Sequence, residues 1–235
     1  MTQMLKQDRI SKCISLLKRS YFESSIITKV IETLDFNETQ HQNLDFLKFG
    51  IWTYVPKEWF IRDDVIPDFV FTEFGRNIAI GEEKYLIKKI LNSNARQKSL
   101  AEANYQNIAT TVMEMGDLSD IIIFAPIDYY VKMHIDWTKE ANAVVVEENE
   151  LIVKSHRIPL FWSSKYVDFK DFIIVRRSFG RWIAKPSVRD RLSVEMLQSS
   201  EKPDQMELKA QTLFHLDVID PSQIFILRPP ANGMS

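Results

Sequence analysis

The sequence is poor in the residues that carry most enzyme chemistry. A single cysteine, Cys13, stands among 235 residues. That excludes a disulfide framework and a cysteine-rich zinc site, and it suits a reducing compartment. The six glycines never cluster into a loop that cradles phosphate, which argues against nucleotide chemistry. No apolar run approaches the ~18 residues that a membrane-spanning helix needs. The opening residues, Met-Thr-Gln-Met-Leu-Lys-Gln-Asp, lack the apolar core of a signal peptide. The four histidines (His41, His134, His156 and His215) are scattered without HxxH or HExxH spacing, so no metal site and no cofactor is expected.

Hydrophobic residues make up 45% of the chain and charged residues 26%, with a net charge of −2. This is a globular composition, long enough to bury a core unaided. The charge is uneven. Residues 151–191 hold ten Lys or Arg against three acids. Residues 1–20 hold Lys6, Arg9, Lys12, Lys18 and Arg19 against Asp8 alone. Such runs are either solvated faces or contacts to phosphate or to acidic neighbours.

Apolar spacing predicts a basic amphipathic helix over 10–34, with Cys13 as a core thiol on its apolar side, and a polar linker over 37–43. Residues 44–66 are rich in aromatics, including Phe46, Phe49, Trp52, Tyr54, Trp59 and Phe60. Aromatic content favours extended chain and Pro56 forbids a central strand, so a two-stranded excursion with a bent tip is expected. Its rings need cover from the body of the domain or from another chain.

Pro67-Asp68 opens a second helix running to about Leu91, with Phe71, Phe74, Ile78, Gly81, Tyr85, Leu86 and Ile90 as its apolar stripe. Ser99 to Glu102 reads as a capping box for a third helix, which Gly116 ends. The run Ile121 to Phe124 is a strand buried on both faces, and 127–137 another helix. Further strands are expected at 143–146, 150–153 and 172–175. Alternation from Leu192 to Met196 and from Leu208 to Val218 predicts a long antiparallel hairpin around the turn at 201–204. Asp220-Pro221 then turns into a last strand at 224–227. The class is α+β.

One enzyme-like pattern is present. Pro67-Asp68 followed by Glu82-Glu83-Lys84 has the letters of metal-dependent nucleases, in which two carboxylates hold magnesium beside a lysine. Here the second acid lies about 14 residues, or roughly 21 Å of helical rise, from Asp68 along one helix. A solvated helix face explains the letters better. A chain with much contact surface and no convergent polar site assembles or binds rather than catalyses.

The order of elements resembles the major capsid fold of tailed phages, the Hong Kong 97 type, shared with encapsulin nanocompartments. Gly75 to Glu83 is similar to the family's alanine-and-acid run on its long spine helix. Ile121 to Pro126 followed by Tyr129 and Met133 is similar to the strand, proline and helix of its axial domain. His156-Arg157-Ile158-Pro159-Leu160 resembles the short strand that leads on to 172–175. Trp182 to Pro186, then Arg191 to Val194, resembles entry into the peripheral domain, and Met206 to Ile224 the closing strand, Asp-Pro and strand.

The resemblance implies an N-terminal arm over 1–43, an extended loop over 44–66 and a spine helix over 67–96. An axial domain over 97–186 follows, then a peripheral hairpin with C-terminal strand over 187–235. It implies an icosahedral shell of many copies enclosing viral or proviral DNA, or alternatively an encapsulin enclosing a cargo enzyme. Such a protein would be found in a virion or a cytoplasmic particle, without membrane partners. Under this resemblance Trp52, Tyr54, Trp59 and Phe60 are expected to anchor the loop on an adjacent subunit. Lys6, Arg9, Lys12, Lys18 and Arg19 would face nucleic acid or cargo. Arg176, Arg177 and Arg181 would line axial contacts or a pore opposite acids such as Glu147, Glu148 and Glu150.

Overall fold

The structure is a computed structural model that describes residues 32–34, 47–57, 67–147, 149–184, 193–198 and 202–230. In chain order its strands and helices are β1 (Glu32–Leu34), β2 (Leu47–Pro56), α1 (Pro67–Leu91), β3 (Arg96–Ser99), α2 (Tyr105–Glu114), β4 (Ile121–Ala125), α3 (Tyr130–Glu140), β5 (Val146–Glu147), β6 (Glu150–Val153), β7 (His156–Trp162), β8 (Phe172–Arg176), β9 (Gly180–Ala184), β10 (Ser193–Gln198), β11 (Gln205–Val218) and β12 (Ile224–Arg228). They fall into two compact units, which draw chiefly on 33–85 with 182–216 and on 86–181 with 217–235.

The first unit is built on a sheet of β1, β2, β9, β10 and β11. The expected hairpin is present: β10 pairs antiparallel with β11 from Ser193↔Gln211 to Gln198↔Met206. The fourteen residues of β11 also carry β2, antiparallel from Pro56↔Gln205 to Leu47↔Phe214. The described part of 44–66, residues 47–57, contains one strand laid on β11, and the rest of the expected two-stranded excursion lies outside the described residues. The reason is length: β11 offers ten consecutive ladder positions. Pro56, which has no N–H to donate, closes the ladder, and Lys57 N donates to Asp204 O at 2.9 Å. The end of the expected first helix is also strand. Ile31-Glu32-Thr33-Leu34 alternates apolar with polar, and β1 uses that alternation to join β9. Residues 10–31 of that helix and the 37–43 linker lie outside the described residues.

Helix α1 forms as expected, but its buried stripe is rotated. Ile78, Ala79, Glu82, Glu83, Leu86, Ile87 and Ile90 are buried, while Gly81 and Tyr85 are half-buried. The buried positions repeat every four residues, and that spacing carries two glutamates inward. The solvated face expected for Glu82 and Glu83 is thus a buried one.

The second unit is built on a seven-stranded sheet in the order β3-β12-β8-β4-β7-β6-β5. At its centre β4 runs parallel to β7 and antiparallel to β8. Every residue of β4 is at most 1% exposed, because a continuous apolar run satisfies cover on both faces. One face packs Ile121, Ile123, Phe172, Ile174 and Leu227 with Ile108 and Val112 of α2 and Met133 and Trp137 of α3. On the other, the Phe124 ring lies 5.7 Å from Phe161 and 6.3 Å from Phe169. Pro159 is tolerated in β7 because pairing with β4 begins only at Leu160.

Two expectations are corrected here. Ser99 does not cap a helix. It ends β3, which runs parallel to β12, and Leu100 N continues to Arg228 O at 2.8 Å. With those groups engaged, the cap moves to Asn104, whose side chain accepts from Asn107 N at 2.9 Å. Gly116 follows α2 at φ +91°, the left-handed residue expected there. The C-terminal strand does not stay with the peripheral hairpin. Ile224 to Leu227 are all buried in β12, and the seven-stranded sheet gives them two covered faces between β3 and β8.

The turn into β12 is held by Asp220. Its Oδ1 accepts from Ser222 N at 2.9 Å and Ser222 Oγ at 2.6 Å, and its Oδ2 from Gln223 Nε2 at 2.9 Å. Hydrogen bonds from Ser222, then Gln223, hold its carboxyl below the ordinary aspartate range. A lowered folded pKa adds stability at neutral pH that disappears as the pH falls through that lowered value. Asp220→Asn is expected to melt earlier than the parent at pH 7, with the gap closing below about pH 4, as followed by circular dichroism across pH. Phe172 is fully buried between Tyr129, edge-on at 5.0 Å, and Trp137, stacked at 6.2 Å. Phe172→Ala is expected to cost about 3–5 kcal/mol in denaturant unfolding, the range for a large aromatic removed from a packed core.

Candidate functional site

The residues expected to carry contacts distribute unevenly. Trp52 and Tyr54 stand on β2, opposite Lys209 and Glu207 of β11. Tyr54 is 37% exposed, and Lys202 Nζ lies 4.3 Å over its ring. That is a cation–π contact on an accessible aromatic. Trp59 and Phe60 lie outside the described residues, as do Lys6, Arg9, Lys12, Lys18 and Arg19.

The three arginines are not equivalent. Arg177 opens a single 3₁₀ turn and Arg181 lies on β9, both exposed. Arg176 ends β8 half-buried, and its Nε is enclosed without a hydrogen-bond partner. It alone of the three lines a cleft of about 290 Å³, shared with Arg96, Glu114, Asp220, Gln223 and Phe225.

Other bases of 151–191 are engaged within the chain. Arg157 bridges Glu147 at 2.8 Å and Glu150 at 3.0 Å. Lys170 bridges Asp128 at 3.1 Å and Asp168 at 3.5 Å, and its hydrogen bond to Asp128 raises its pKa above the ordinary lysine value. Glu147 and Glu150, expected opposite bases at an axial contact or pore, pair with Arg157 of their own chain. The reason is register, since Ile152↔Arg157 and Glu150↔Pro159 place these side chains beside one another on the β6–β7 ladder. Glu148 lies outside the described residues.

The nuclease-like letters do not converge. Asp68, Glu82, Glu83 and Lys84 are all on α1, with Glu82 and Glu83 buried and Lys84 exposed. Among the described residues no group of three His, Cys, Asp or Glu is placed to hold a metal ion. No helix among them is long and apolar enough to cross a membrane.

Sequence reasoning missed one surface. Helix α3 points Met133 and Trp137 inward, yet it also exposes Val131 (64%) and Ile135 (48%), in line with Ile127 (45%) on the preceding turn. Beside this stripe Tyr130 packs on His134 at 4.2 Å and on Trp162 at 5.0 Å. His134 Nδ1 lies 2.8 Å from Tyr130 O. The signal was readable, because residues 127, 131 and 135 repeat every four positions beside a second apolar line. A helix packed on one sheet needs only one such line.

The chain matches no protein-family model and no curated protein. Solved structures do match. It is similar to the virus-like particle from Pyrococcus furiosus, with a TM-score of 0.64 at 11% identity, over 93% of this chain and 98% of that one. It is similar to the capsid of the native GTA particle, with a TM-score of 0.63 at 12% identity over 88% and 91%. It is similar too to the holo-SrpI encapsulin complex from Synechococcus elongatus PCC 7942, with a TM-score of 0.62 at 9% identity over 86% of each. Likeness at such identities is likeness of fold. The chain has the α+β, phage-capsid-like fold of the Hong Kong 97 type.

Proposed function

We propose that the chain is a structural subunit that assembles in many copies into a closed icosahedral shell enclosing viral or proviral DNA. The observation that carries the reading is the end-to-end likeness to the virus-like particle subunit, over 93% of this chain and 98% of that one. A partial match would leave room for a catalytic domain; this one leaves little chain unaccounted for. The ion pairs of the described residues support a structural role over an enzymatic one, since Arg157 and Lys170 each pair with neighbouring acids rather than converge on a common point. The basic stretch at Lys6, Arg9, Lys12, Lys18 and Arg19 supports an interior that meets nucleic acid, because phosphate contacts need clustered cations. The same fold in the SrpI encapsulin complex keeps one alternative, a nanocompartment around a cargo enzyme.

In this reading the arm is 1–43, the extended loop 44–66, the spine helix α1 and the axial domain the seven-stranded unit. Each subunit makes several modest contacts that close through rotation axes. Trp52, Tyr54, Trp59 and Phe60 anchor the loop on a neighbour, since large aromatics dominate interface energetics.

Electron microscopy of the purified protein is expected to show uniform particles tens of nanometres across. Nuclease-protected nucleic acid within them marks a capsid, and a stoichiometric co-purifying enzyme an encapsulin. A protein that stays monomeric at high concentration overturns both. The double variant Trp52→Ala/Trp59→Ala is expected to remain folded by circular dichroism and to lose particle formation. Loss of folding instead would place these rings in the subunit's own core.

A further inference from the structure

We draw no further inference here: the strongest candidate, the exposed apolar stripe of Ile127, Val131 and Ile135 along α3 and the turn before it, beside the packed rings of Tyr130, His134 and Trp162, carries none because nothing in the structure shows what covers it.

Discussion

Burial of β4 on both faces is the constraint that the seven-stranded unit is arranged around. Five consecutive residues at most 1% exposed cannot be shielded by one layer of helices. The chain must bring cover to each face of the sheet. Helices α2 and α3 supply it on one side, and the rings of Phe161 and Phe169 contribute on the other. Neighbouring β8 shares the demand, with its first four residues fully buried. Once the strands are fixed in this order, their ends are fixed too. The segments carrying Arg96, Arg176 and Asp220 meet at one end of the sheet because β12 begins where β8 finishes.

Where the sequence was legible, the physics was local. The apolar run of β4, the alternation of β11 and the glycine after α2 each have one cheap local solution, and the structure adopts it. What was not legible was non-local. Ser99 and Glu102 satisfy a helix-cap pattern, but parallel pairing with β12, more than a hundred residues on, claims Ser99 first. The described aromatic strand pairs with β11, a partner far along the chain that is visible only when both strands are placed. Ile224 to Leu227 looked like an appendage to the hairpin because it follows it, yet its four apolar residues needed a covered sheet.

The contact residues follow the same division. Their types were readable: unusual aromatics over 44–66 and a surplus of bases over 151–191. Their partners were not, since an ion pair depends on register. Arg157 is spent on Glu147 and Glu150, and Lys170 on Asp128 and Asp168. Only the structure separates these paired bases from Arg176, whose Nε has no hydrogen-bond partner.

The edges of the seven-stranded sheet offer little to an intruding strand. β3 has four residues, all exposed and two of them basic, and β5 has only two residues. Short, charged edges offer little backbone for an intruding strand to extend. Any contact made there must come from side chains, whose geometry sets an angle between neighbours. Backbone pairing adds strands without limit, whereas a pairing of unlike side-chain patches at a fixed rotation can return to its starting point. A sheet that is buried through its centre and short and charged at its edges thus disfavours open-ended strand addition.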